Sequence, residues 1–255
     1  FTPIESLGME IQTIQSAMAG VKRIDAFLAQ PERAIPEERE SAARGDIVLS
    51  HVTFGYGEKS VLTDFSMTVK QGEQVTLIGR TGAGKSTVFK LLLALYPPES
   101  GSITIGGVDV SDIADSERRA CIGCVEQHFS RVPGTVLDQI TLGDARITEE
   151  MAKSAARLAG IDAAIASLPE GYDTVCTDGM FSQGEWQLLS IARAAAADPA
   201  VLLLDEITAN LDAETEARVL EALRRASEGR TVLSVSHRVY EKLGGRTIEI
   251  RPQPA

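Results

Sequence analysis

Nine consecutive residues carry the clearest chemistry in the chain: Gly79, Arg80, Thr81, Gly82, Ala83, Gly84, Lys85, Ser86 and Thr87. They fit the pattern Gly-x-x-x-x-Gly-Lys-Ser/Thr, with an apolar run (Val75 to Ile78) before them and a helical pattern after. Glycines let such a loop curl so that several backbone N–H groups point inward at phosphate oxygens. The positive end of the following helix adds to that field. Lys85 has the reach for β- and γ-phosphates, and the Ser86 hydroxyl suits Mg²⁺. A glycine-rich turn that binds nothing has no need of strand, helix, Lys and Ser together. The loop is therefore read as an ATP cradle, although the same loop would also fit kinases and GTPases.

Two carboxylates, Asp205 and Glu206, follow the apolar run Val201-Leu-Leu-Leu204. Ligands of an open α/β sheet sit at that C-terminal edge of its strands. Asp205 can hold Mg²⁺ through water, and Glu206 can orient an attacking water. Alone, an Asp-Glu pair after a core strand reads as ordinary surface charge, and the phosphate loop upstream reverses that. His237 follows the next apolar strand, in Ser234-Val-Ser-His237, which points to a phosphate-sensing role at the same edge.

Three cysteines, Cys121, Cys124 and Cys176, suit a reducing compartment. Cys121 and Cys124 form a C-x-x-C, but no second pair or His cluster completes a zinc site. The flanking residues 120–125 read as a buried strand in which cysteine acts as a small apolar residue. The net charge of −11 argues against a nucleic-acid binder, whose affinity rests on Lys and Arg. Phe1 in first place suggests a fragment or processed product. No secretory signal and no stretch of 18 apolar residues is present.

The elements that must position these groups read as α/β. Residues 4–28 are helical by period, with Ile4, Leu7, Ile11, Ile14, Met18, Val21 and Leu28 on a narrow seam broken at Asp25. Residues 31–45 read as an exposed linker. Residues 47–54 and 65–69 alternate like strands, and residues 102–107 read as a small hairpin. Helices are expected over 86–96, 149–167, 182–198 and 213–227. Buried strands are expected at 201–204 and 231–235, with a last one at 247–250. The early strands and the helices near 149–198 look like additions to a parallel-sheet core.

With these motifs in this order, the chain resembles the nucleotide-binding domain of ABC transporters over residues 46–251. Tyr56 matches the aromatic residue that stacks on adenine. Residues 79–87 match Walker A, and Gln127 matches the Q-loop glutamine that meets Mg²⁺ and the membrane domain. Residues 201–205 match Walker B, with Glu206 as catalytic glutamate. Residues 209–212 match the D-loop, and His237 the switch histidine. The signature motif departs from Leu-Ser-Gly-Gly-Gln and reads Phe181, Ser182, Gln183, Gly184, Glu185. Ser182 and Gly184, which the family sets against the γ-phosphate of the opposite subunit, remain. Gln183 removes a glycine there, and Glu185 adds negative charge. Glu126 stands where the family often has proline.

The resemblance implies a P-loop NTPase (RecA-like) core with a parallel sheet, an N-terminal antiparallel β subdomain and an α-helical subdomain inserted at about 129–185. It implies ATP and Mg²⁺ (on Ser86, Gln127 and Asp205), and a second nucleotide-binding domain as partner, alike or different. The exporter branch is the closer match, through residues 54–56, 61–64 and 134–140 and the helical lead-in ending Arg23-Ile-Asp-Ala-Phe-Leu28. That lead-in implies that residues 1–30 are the cytoplasmic end of the last helix of the chain's own transmembrane domain. The domain would then hydrolyse ATP at the cytoplasmic side of the cell membrane to power export. A soluble ABC protein acting on ribosomes or DNA, and a regulatory domain without turnover, are the alternatives. The cargo is chosen by the membrane domain.

Overall fold

The computed structural model describes residues 2–29, 43–57, 59–126, 129–205, 211–235 and 244–251. The chain divides into two compact units, Phe1–Ile35 and Pro36–Ala255. The first holds one helix, α1 (Thr2–Leu28), as its apolar period predicts. Ile11, Ile14, Met18 and Val21 on that seam are exposed.

The second unit holds two sheets. The antiparallel one has the order β2-β1-β4-β5, from β1 (Ile47–Tyr56), β2 (Lys59–Val69), β4 (Ser100–Ile105) and β5 (Val108–Asp109). In β1 the buried residues are Ile47 and Leu49, then Val52 and Phe54. The parity changes because the ladder slips between Leu49 and Val52, where His51 takes a left-handed φ of 51°. One extra residue in a strand returns its apolar side chains to the same face after a bend.

The other sheet is parallel throughout, in the order β6-β7-β8-β3-β9. Its strands are β3 (Gln74–Ile78), β6 (Ile122–Val125), β7 (Val201–Leu204), β8 (Thr231–Ser234) and β9 (Arg246–Glu249). The unbroken apolar run of β7 is explained by its two faces. Leu202 and Leu204 enter one apolar cluster, with α4 (Val136–Thr141), α5 (Glu149–Ala159), α7 (Gln183–Ala195) and α8 (Ala213–Ser227). Val201 and Leu203 enter the other, which fills the space around α2 (Lys85–Leu92) between the sheets. Each such buried side chain contributes about 1.5–3 kcal/mol, so β7 needs no polar position.

Several boundaries move. The expected helix over 86–96 stops at Leu92. Arg118 Nη1 donates to the Leu93 carbonyl (3.2 Å), and Ala94 turns left-handed at φ 51°, so the chain leaves the helix before Pro97. The expected helix over 149–167 is two, α5 and α6 (Asp162–Ala166), separated by Gly160 at φ 75°. The helix expected over 182–198 ends at Ala195. Cys121 is the last residue of helix α3 (Asp115–Cys121), not part of a strand, and β6 begins at Ile122. The Cys121 thiol donates to the Ala43 carbonyl (3.3 Å). Strand β2 begins six residues before the expected Phe65, at Lys59.

Candidate functional site

The phosphate loop leaves the C-terminal end of β3 and enters α2. Gly79 (φ 150°), Gly82 (φ 82°) and Gly84 (φ 102°) hold backbone conformations that other residues rarely adopt. At Gly79 an added Cβ would overlap the Ile250 carbonyl, and at Gly84 it would press on Val61 and Leu62 of β2. The loop is thus gripped by the chain after β9 on one side and by β2 on the other. No side chain caps the start of α2, and its first turn has no acidic residue. That end is left to its own N–H groups and dipole. Lys85 folds back over the loop, and its Nζ donates to the carbonyls of Gly79 (2.8 Å) and Arg80 (3.1 Å).

A cleft of about 540 Å³ opens above the loop, lined by Thr81, Gly82, Gly84, Lys85, Ser86 and Thr87 on one side and by Tyr56 with Lys59, Ser60 and Val61 on the other. Tyr56, 38% exposed, stands edge-on to Phe54 (5.0 Å) and to Tyr96 (5.4 Å). The cleft therefore brings together a cradle suited to phosphate and an aromatic ring suited to a base. Lys59, Ser60 and Val61 are the lining residues that motif reading missed. Their signal is strand pairing, since Lys59 and Ser60 are the β2 partners of Tyr56 and Gly55.

Because the sheet is parallel, the C-terminal ends of β3, β6, β7 and β8 share one edge. Asp205 sits there directly after β7, its N–H donating to the Val125 carbonyl (3.0 Å), and the Val235 N–H donates to the Leu204 carbonyl (3.0 Å). Thr76 and Ser234 join β3 to β8 by a buried hydroxyl pair (2.7 Å). Gln127, Glu206 and His237, and with them Ala209 and Asn210, lie outside the described residues. Asp212 is described and caps α8, accepting from the N–H groups of Glu214 (3.1 Å) and Thr215 (3.0 Å).

The second motif begins α7. The Ser182 hydroxyl accepts from the Glu185 N–H (3.3 Å), and Glu185 Oε2 accepts from the Ser182 N–H and hydroxyl (2.8 Å each). This is a complete capping box, so the Glu185 carboxylate is a cap partner and not only an added charge. Gly184 is buried, and an added Cβ there would overlap Thr215 of α8. Gln183 is exposed; the close-packed glycine of this motif is Gly184. Beside it, Trp186 stacks on Phe129 (5.0 Å) and meets Phe181 edge-on (5.0 Å). Arg193 lies over the Phe129 ring, 3.9 Å from its centroid. Burial pushes its guanidinium down to about 10, still cationic at neutral pH.

Burial disfavours the thiolate at both residues of the C-x-x-C pair. Burial pushes Cys121 up to about 11. Burial, with the negative Glu126 and Asp205, pushes Cys124 up to about 12. All three cysteines are free, and Cys121 and Cys124 stay protonated at neutral pH. For Mg²⁺ the test is the donor set. Ser86 and Asp205 offer hard oxygens, and Mg²⁺ is ordinarily held by one or two protein oxygens plus phosphate and water. No described helix is long and apolar enough to cross a membrane.

The model of the family described as ABC transporter matches residues 62–209. The uncharacterized ABC transporter ATP-binding protein YfiC of Bacillus subtilis is 37% identical over 243 residues, 93% of this chain and 40% of that protein. The probable multidrug resistance ABC transporter ATP-binding/permease protein YheH of the same organism is 35% identical over 243 residues, 94% of this chain and 36% of that protein. A solved bacterial Atm1-family ABC exporter with ATP bound superimposes at a TM-score of 0.76, with 30% identity, over 100% of this chain and 46% of that one. The chain thus spans less than half the length of these relatives.

Proposed function

The chain belongs to the ABC transporter family as an ATP-binding domain of exporter type, and from that premise we propose that it hydrolyses ATP to power export. The observation that carries this reading is the loop at residues 79–84, shaped by left-handed glycines and opening onto an uncapped helix start. In the proposed complex, Tyr56 stacks on adenine and the backbone of residues 80–86 surrounds the phosphates. Lys85 exchanges its two loop carbonyls for β- and γ-phosphate oxygens. That exchange is favourable because it replaces neutral carbonyl acceptors with anionic oxygens that attract the ammonium by charge as well as by hydrogen bond. Ser86 and Asp205, with Gln127, hold Mg²⁺, which supplies charge neutralisation at the phosphates. Glu206 orients the attacking water, and His237 senses the γ-phosphate.

Residues 1–30 are proposed as the end of the last helix of the chain's own transmembrane domain, residues 31–45 as a linker and residues 46–255 as the nucleotide-binding domain. Its helical subdomain spans about 129–185, a stretch that holds α4, α5 and α6 and no strand among its described residues. Ser182, Gln183, Gly184 and Glu185 would face ATP held by a second nucleotide-binding domain, so two domains close face to face at the cytoplasmic side of the membrane. The solved exporter with ATP bound supports the ligand, and the fused ATP-binding/permease relative supports the membrane partner.

Glu206→Gln tests the assignment. Expected is retained ATP binding with phosphate release lost. Undiminished turnover removes Glu206 from its role, and absent ATP binding by the wild-type chain sinks the whole reading. The altered signature, with Gln183 and Glu185 in place of the family's Gly and Gln, favours a second, narrower reading: a heterodimer in which this signature face serves the weaker site. An active homodimer of the full-length protein purified alone overturns it.

A further inference from the structure

We propose that Lys90 is a positioning residue for nucleotide binding, acting through Tyr56 to set the plane on which the base stacks. The inference rests on the reading that Tyr56 takes the base. Lys90 lies on α2, five residues beyond Lys85 and so about 7.5 Å further along the helix. Its ammonium stands over the Tyr56 ring, 5.5 Å from the centroid. Among the described residues Lys90 has no ion-pair partner, so the ring is not competing with a carboxylate for it. A cation over an aromatic face is attracted by the ring quadrupole. Phe54 and Tyr96 meet the same ring at interplanar angles of 87° and 90°.

The arrangement links both ends of the ligand site to one rigid element. The start of α2 forms the phosphate cradle, and the same helix, through Lys90, holds the ring at the far end of the cleft. Tyr56 stands at the end of a hairpin, since the β1–β2 ladder closes at the Tyr56–Lys59 pair. A residue so close to a strand end gains most from an anchor outside its own sheet.

The test compares ATP with inorganic tripolyphosphate, each with Mg²⁺, by calorimetric titration of the purified chain. Lys90→Gln is expected to weaken ATP binding by about two- to fivefold and to leave tripolyphosphate binding unchanged. Lys90→Arg, which keeps a cation for the ring, is expected to restore ATP binding. In a Tyr56→Ala background, Lys90→Gln is expected to have no further effect. Equal losses for both ligands overturn the proposal, because Lys90 then acts on phosphate charge. So does unchanged ATP affinity, or a full loss in the Tyr56→Ala background. If Tyr56→Ala alone leaves the preference for ATP over tripolyphosphate intact, the failure belongs to the base-stacking reading and not to Lys90.

Discussion

Helices α2 and α7 both begin at motifs associated with nucleotide phosphate, and they begin in opposite ways. Among helices α2 to α8, only α2 has neither a side-chain cap nor an acidic residue in its first turn. Its N-cap is Gly84 in the left-handed region. Helix α7 starts under a full capping box, as α4 does with Thr135 and Asp138. Four of these starts carry a side-chain cap, and α3 and α6 lack one but have an acidic first turn, so α2 is the departure in having neither. An anion-binding helix start must leave donors for its ligand, and a capped start has spent some of them on itself. The contrast fits the proposed reading, in which α2 is left open for the chain's own ATP and α7 stays a closed cap unless a partner domain brings its ligand.

The sharpest way to break the open start is to fill it. Gly79→Val should cost about 3 kcal/mol or more of stability, because its Cβ would overlap the Ile250 carbonyl and its backbone sits where a branched residue is strained. Denaturant unfolding measures this, and a loss below about 1 kcal/mol would show that the loop relaxes freely. Lys85→Met separates binding from stability. ATP affinity should fall about 100-fold, the worth of one or two hydrogen bonds to a charged group. The unfolding midpoint should stay in place, since Lys85 contacts only exposed loop carbonyls.

The capped start should respond in reverse. Ser182→Ala removes the side-chain cap and should cost about 1 kcal/mol of stability, with ATP binding at the chain's own loop unchanged. Thermal unfolding and ATP titration of one preparation check both halves. A loss of ATP affinity in the isolated chain would mean the two helix starts are coupled within one molecule.

How much of this was legible beforehand depended on the physics involved. The loop, β7 and α8 could be read because each is dictated by local chemistry. The loop needs glycine and lysine at fixed spacing, β7 is apolar on both faces, and α8 runs from Asp212 as cap to Ser227. The end of α2 was not legible, because Arg118 from a later helix caps it. The bulge at His51 hid behind a strand pattern that resumes in opposite phase. Lys59 and Ser60 join the cleft only through their register with β1. Glu185 was legible in part: Ser-x-x-Glu is itself a capping-box pattern, but against the family motif it reads first as a stray charge.

That double meaning of Glu185 gives the finest test of the contrast. Glu185→Gln keeps an oxygen to accept from the Ser182 N–H and so keeps the box, while removing the carboxylate from the first turn. The isolated chain should lose only about 0.3–1 kcal/mol, the worth of an acidic side chain beside a helix start. Ser182→Ala, which breaks the box itself, should lose as much or more. If the start of α7 meets ATP bound on a partner domain, the neutral side chain should instead strengthen ATP-dependent association. A carboxylate next to a triphosphate is repulsive, and that gain should shrink as salt rises because exposed charges are screened. Association that is unchanged by the substitution at low salt would mean that α7 is only a well-capped helix. A gain that vanishes with salt would mean that this start was closed by charge as well as by its cap.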